Sequence, residues 1–162
     1  MDDGRKNLAL AICQPDIPQN TGTMLRMCAC LGVGAHIIEP AAFPVTDRAF
    51  RRAGMDYLDA LHIERHVSLQ AFEAARRAAG ARLVLLTTAA DMAYTDFAFR
   101  PGDILMVGRE SAGAPEEAHR AADARVVIPM AAGLRSLNVA VSAAMVMGEA
   151  LRQLRVVSGE TK

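Results

Sequence analysis

Two stretches of this chain, Arg82–Thr88 and Asp103–Val107, are continuously apolar through their middles instead of alternating. A strand with one wet face alternates with a period of two. An unbroken run therefore predicts strands buried on both faces, as in a parallel sheet covered by helices on each side. The rest of the chain fits that frame. Leu8–Cys13 predicts a strand, Thr21–Leu31 a helix entered after Pro18, and Ala35–Glu39 a strand ended by Pro40. Asp47–Ala53 predicts a short helix, Leu61–Arg65 a short strand, and Ser68–Gly80 a helix with Ser68 as N-cap. Pro115–Ala122 reads as a short helix, Ala124–Ile128 as a strand, and Ser136–Leu154 as the last helix. This βαβα order predicts an α/β fold with a mostly parallel sheet and helices on both faces. At 162 residues the chain is expected to form one domain over 1–157, with 158–162 a frayed tail.

Composition removes several classes of function. Lys and Arg number 18 and Asp and Glu 18, so no global field draws the chain to nucleic acid, and RNA binding needs a local basic patch. No apolar run reaches the ~20 residues that span a bilayer, and the start MDDGRK lacks a signal-peptide core. Cys13, Cys28 and Cys30 are odd in number and sit among apolar neighbours, which fits reduced thiols in a cytoplasmic protein. Gly32-Val33-Gly34 is a lone G-x-G between a helix and a strand, the wrong order for a dinucleotide fingerprint. His62-Ile63-Glu64-Arg65-His66 is out of register with H-E-x-x-H and reads as a surface strand with two solvated imidazoles, so no metal is expected. Cys28 and Cys30 stand roughly 200° apart on a helix and read as packing residues. No G-x-S-x-G elbow supports hydrolase chemistry.

What remains is polar residues at strand and helix ends. In Val126–Ala150 a β-branched run stops at Pro129, crosses a loop with Gly133, and meets Arg135-Ser136-Leu137-Asn138 at the mouth of a long apolar helix. Asp103–Pro115 repeats the move, ending an apolar strand in a small-residue turn that carries Glu110. Loops of this kind collect polar side chains and free helix-start N–H groups at one rim, so a ligand pocket is expected near the C-terminus. Asn20 reads as the N-cap of the first helix, and Gly22 as a point of close approach for another chain. Arg26 is a charge among Met24, Leu25, Met27 and Cys28, a setting in which a guanidinium usually reaches a carboxylate or phosphate. Arg48, Arg51 and Arg52 form the clearest basic cluster, either a solvated face or a phosphate contact. The last helix is apolar around most of its circumference, as a core helix or as a dimer interface.

Asn20-Thr21-Gly22 with Arg26, Arg51-Arg52-Ala53-Gly54-Met55-Asp56-Tyr57, Gly108-Arg109-Glu110 with Gly113, and Ile128-Pro129-Met130 with Arg135-Ser136-Leu137-Asn138 follow one another in a recognisable order. In that order and spacing the chain resembles the SPOUT RNA methyltransferases. It is most similar to the minimal tRNA wobble-position ribose 2′-O-methyltransferases of the TrmL (YibK-like) type, from about Leu8 to Leu154. The resemblance implies a deep C-terminal trefoil knot, an exception to the rule against threaded chains. It also implies a homodimer through the first and last helices, and S-adenosylmethionine bound by Leu86, Thr87, Gly108, Ile128, Met130, Ser136 and Leu137. Gly108 and Gly113 would be points where backbone approaches the ligand. Departures from the common pattern are Arg109 in place of Pro, Ser111-Ala112-Gly113-Ala114 in place of x-Arg-Gly-Leu, and Gly148 where some members carry Tyr.

The implied reaction is methyl transfer to the ribose 2′-hydroxyl of nucleotide 34 in the tRNA anticodon stem-loop, cytidine or modified uridine, in leucine isoacceptors by resemblance. Arg26, Glu110, Ser136 and Asn138 would be the catalytic set. A guanidinium stays protonated, so Arg26 is expected to orient the hydroxyl and a nearby RNA phosphate instead of acting as base. Glu110 and Asn138 would position Arg26 and the ribose. Asn20, Arg48, Arg51 and Arg52, with Arg65 nearby, would contact RNA. Two alternatives stay open here: another tRNA or rRNA position as target, and an RNA-binding module of the same fold without turnover.

Overall fold

A computed structural model describes residues 8–157, with backbone only for Val156 and Val157; the expected frayed tail 158–162 lies outside the described residues. Strands β1 (Ala9–Cys13), β2 (Gly34–Ile38), β3 (Ile63–His66), β4 (Leu83–Leu86), β5 (Ile104–Val107) and β6 (Ala124–Val126) form one sheet in the order β3-β2-β1-β5-β4-β6. All five pairings are parallel. The helices are α1 (Pro18–Leu31), α2 (Asp47–Arg52), α3 (Leu69–Ala79), α4 (Glu116–Ala121) and α5 (Val139–Val157).

Helices cover both faces, and this accounts for the unbroken apolar runs. Leu10 and Ile12 of β1, Val84 of β4, and Leu105 and Val107 of β5 pack with Met24, Leu25 and Cys28 of α1 and Ala143, Val146, Met147 and Ala150 of α5. Their neighbours Ala9, Ala11, Cys13, Leu83, Leu85, Ile104 and Met106 point the other way, onto Leu69 and Phe72 of α3 and Ala118 of α4. Successive residues of a strand face opposite sides, so two buried faces require apolar residues at every position. Burial raises the thiol pKa of Cys13 to about 11 and of Cys28 to about 12. Cys30 is exposed, which corrects its reading as a packing residue.

The chain runs outward from β1 through β2 to β3 on one side of the sheet, then crosses to β4, returns to β5 between β4 and β1, and ends at β6 outside β4. The direction of winding changes between β1 and β5. In open parallel sheets the carboxyl ends of the strands beside such a reversal form a crevice.

Two helix starts differ from expectation. α1 begins at Pro18, whose fixed φ and missing N–H suit the first turn, so Asn20 lies inside the helix and is not its N-cap. α5 begins at Val139, and Asn138 is the cap: its Oδ1 accepts the N–H groups of Ala140 (2.9 Å) and Val141 (3.2 Å). Arg135-Ser136-Leu137 therefore stay in the loop and reach the crevice. Ser68 caps α3 through the Ala71 N–H at 3.0 Å, as expected.

Candidate active site

A cleft of about 630 Å³ opens at the carboxyl ends of β4, β5 and β6, a size typical of small-molecule sites. Its walls include Leu86, Thr87, Gly108, Ile128, Met130, Ser136 and Leu137, the full set expected to hold a cofactor. Glu110, Asn20 and Asn138 also line it. Between Ile128 and Leu137 the described backbone makes one internal hydrogen bond, from the Leu134 N–H to the Ala131 carbonyl at 3.2 Å. The remaining peptide groups of that loop are open to a ligand edge.

Glu110 is fixed by an exchange with the loop after β1. Its Oε2 accepts the Asp16 N–H at 3.1 Å, while its own N–H donates to Asp16 Oδ1 at 3.2 Å. Ser111 donates its hydroxyl to Asp16 Oδ2. Hydrogen bonding with Glu110 and Ser111 holds the Asp16 carboxyl below its ordinary range, and the Arg109 charge adds to this. Arg109 donates to the Gln14 carbonyl at 3.0 Å. The other Glu110 oxygen, Oε1, is buried without a partner. A buried acceptor of this kind is costly to leave unmet, so the site offers it to a donor.

Gly108 lines the cleft and is also needed by the fold of its own loop. A Cβ there would lie 2.1 Å from the Ala114 nitrogen and 2.4 Å from the Gly113 carbonyl carbon. The glycine lets the loop fold back on itself, with Gly113 at φ +70° closing an antiparallel bridge to Arg109. Gly22 is likewise approached by the chain's own residues. A Cβ there would meet Met55 Cε at 2.9 Å, and the Tyr57 hydroxyl donates to the Gly22 carbonyl at 2.9 Å.

Asn138 Nδ2 donates to Asn20 Oδ1 at 3.0 Å, so the two asparagines tie the α1 start to the α5 cap. Arg26 stands apart from the cleft. It is exposed on α1, its guanidinium 5.6 Å from the Tyr57 ring centroid, and no ion pair to it forms among the described residues. Arg48, Arg51 and Arg52 are exposed on α2. Arg51 pairs with Asp59 at 2.8 Å, which raises its pKa, and Arg65 is engaged by Asp47 and the Val45 carbonyl. Arg48 and Arg52 form no ion pair among the described residues.

The two histidines of His62–His66 are not alike, which corrects their reading as a solvated pair. His62 is exposed, but His66 is buried and shares a hydrogen bond with His36, Nε2 to Nδ1 at 3.0 Å, on the edge of Phe72. Desolvation lowers both the His36 and the His66 pKa from 6.5, outweighing the Glu64 charge that raises them. The i, i+2 spacing puts Glu64 and His66 on one side of β3, where Glu64 stays exposed and His66, at the strand end, is covered by Phe72 of α3.

Two residues of the site escaped sequence reasoning. Asp16 follows the β1 end, and an acidic residue just after an apolar strand was the available signal. His119 lies in short α4 and also lines the cleft; nothing in its neighbourhood marks it.

Residues 7–148 match the model of the SpoU rRNA Methylase family. The chain belongs to that family. A curated relative from Beijerinckia indica, a tRNA (cytidine(34)-2′-O)-methyltransferase, is 69% identical over 145 residues, 90% of this chain and 91% of the relative. A solved structure described as giving insight into 2-OH methylation of C/U34 on tRNA superposes with a TM-score of 0.83 at 38% identity, covering 92% of this chain and 97% of that one. The SpoU methyltransferase AviRb from Streptomyces viridochromogenes, in complex with AdoMet, gives a TM-score of 0.79 at 32% identity, over 93% of this chain and 59% of that one.

Proposed function

We propose that the chain is a tRNA 2′-O-methyltransferase that uses S-adenosylmethionine to methylate the ribose of nucleotide 34. The observation that carries this reading is the cleft. Seven residues expected to hold the cofactor line one cavity at the sheet's reversal point, with a buried Glu110 oxygen left for a donor. The relatives' names supply the reaction and the position.

Apolar Leu86, Ile128, Met130 and Leu137 would hold the adenine between them, and the open backbone of 128–137 would read its edge. When bound, the cofactor supplies a methyl group on a sulfonium, which is already activated for transfer. The protein's task is therefore alignment and handling of the ribose proton, and positioning of this kind contributes ~7–11 kcal/mol in favourable cases. Ser136 and Glu110 lie on the rim where the ribose would approach. Asn138 fixes that rim by capping α5 and bonding Asn20.

Arg26 would reach such a site from a second chain. It does not line its own cleft, but it lies on α1 beside α5, where Ile17, Val141 and Met145 are 41%, 50% and 38% exposed. Ala144 and Gly148 continue that α5 face. A homodimer through α1 and α5 covers these apolar residues and brings Arg26 of one chain to the cleft of the other. The guanidinium then orients the hydroxyl and an adjacent phosphate. Arg48 and Arg52, with Arg51, extend the RNA footprint on α2.

The C-terminal trefoil knot belongs to the same reading. Val127 exchanges backbone hydrogen bonds with Met92 and Tyr94, so the segment after β6 runs against the β4–β5 connection where threading would occur. Residues 1–157 would act as one methyltransferase unit, without a bound metal. No described helix is long and apolar enough to cross a membrane, which is consistent with work in the cytoplasm.

The test is transfer of labelled methyl groups from S-adenosylmethionine to total tRNA of a strain lacking the protein. Incorporation into alkali-resistant dinucleotides is the expected result, because a 2′-O-methyl group blocks cleavage at its own linkage. Cofactor binding with no incorporation into any RNA would leave a binding module in place of an enzyme.

A further inference from the structure

We infer that His119 sets the hydrogen-bonding polarity of Thr87 and thereby makes this point of the cleft an acceptor for a donor group on the bound nucleoside. The inference rests on the reading of the cleft as a cofactor site and adds a residue to it. His119 Nδ1 lies 3.1 Å from the Pro115 carbonyl, which also takes the Ala118 and His119 N–H groups and has no proton to give, so the tautomer with its proton on Nδ1 is the one this contact favours. In the neutral ring Nε2 is then a bare acceptor. It lies 2.8 Å from Thr87 Oγ1, and the threonine must donate its single hydroxyl proton there. The Ala89 N–H occupies one Oγ1 lone pair at 3.1 Å. One lone pair of Thr87 is left, and both Thr87 and His119 line the cleft.

The consequence is chemical selectivity. A hydroxyl that is free to rotate answers either a donor or an acceptor. One whose proton is committed answers only a donor, such as an adenine amino or ribose hydroxyl group. His119 touches Thr87 and acts through it, so it is a positioning residue. The contact spans 32 residues, from the β4 end to α4, and so also joins two of the walls.

The experiment is calorimetric titration of the full chain with S-adenosylhomocysteine, together with KM measurements for S-adenosylmethionine and tRNA. His119→Leu should weaken cofactor binding by about three- to tenfold, the range of one net hydrogen bond. That loss should fall in KM for the cofactor and not in KM for tRNA. His119→Gln, whose Oε1 can accept from Thr87, should recover most of it. In a Thr87→Val background, His119→Leu should have no further effect. Should His119→Leu disturb folding, His119→Ala, alone and in the Thr87→Val background, makes the same comparison. Equal affinity of His119→Leu and wild type, or additive losses in the double variant, would overturn the inference alone. Failure of the wild-type chain to bind S-adenosylhomocysteine at all would instead overturn the cofactor reading beneath it.

Discussion

At the scale of single residues, the cleft divides into groups that shape it and groups that would react in it. Gly108 is a shaping residue. Gly108→Ala puts a methyl group onto the Ala114 backbone, where no flexible side chain can yield. The expected outcome is a stability loss of roughly 1–3 kcal/mol, as for other overpacked sites, with cofactor binding lost; denaturant melts and titration check both. Arg26 is the opposite case, exposed and stacked on Tyr57. Arg26→Ala should keep the melting temperature and cofactor affinity while methyl transfer falls by at least ~10²-fold, the scale of losing a charge-stabilising group. Retained transfer would remove Arg26 from the mechanism. Both residues were visible in the sequence, though for Gly108 it suggested only the ligand side. A glycine's need is set by whatever backbone folds against it, and here that is Gly113 and Ala114 of the same loop.

At the scale of elements, β2 and β3 carry a pH-sensitive contact. The His36–His66 pair, half-buried and buried in turn, has both pKa values lowered from 6.5 by desolvation, so the folded chain takes up these protons at lower pH than the unfolded chain does. Below pH 6.5 the unfolded state binds more protons, and stability falls as pH falls through the lowered folded values. Melting temperature should therefore drop between about pH 7 and pH 5 by more than in His36→Gln. A parallel pH profile in that variant would show that the pair is not the source. On α2, Arg48→Ala with Arg52→Ala should weaken tRNA binding and lower the salt slope by about 1–2, while cofactor affinity holds. Arg51 is a poorer choice because Asp59 already engages it.

Elements were legible in the sequence where one local signal decided them. The unbroken runs of β4 and β5 encode burial on two faces, and Ser68 encodes the α3 start. Helix starts at the cleft were not, because more than one residue near each start carried a helix-opening signal. Pro18 displaced Asn20 as the beginning of α1, and Asn138 displaced Ser136 at α5. The burial of His66 was hidden because its partner His36 comes from another strand. The roles of Asp16 and His119 were hidden for the same reason: each gains its role through a contact across 94 or 32 residues.

At the scale of the whole molecule, the proposed active site needs two chains. Val141→Glu with Met145→Glu should give monomers in sedimentation, with transfer activity lost and the fold kept. A composite site has a sharper signature. Arg26→Ala and Glu110→Gln chains, each inactive alone, should recover roughly a quarter of wild-type activity when refolded together, since half of the dimers then carry one intact site. No recovery would place Arg26 and the cleft of the same chain in one site. The most direct measurement maps the product. Total tRNA from a strain lacking the protein, treated with the purified chain and S-adenosylmethionine, is digested and its 2′-O-methyl nucleosides are located by mass spectrometry. The account predicts one new methyl group, on the ribose of nucleotide 34; a methyl group at any other nucleotide, or on a base, would contradict it.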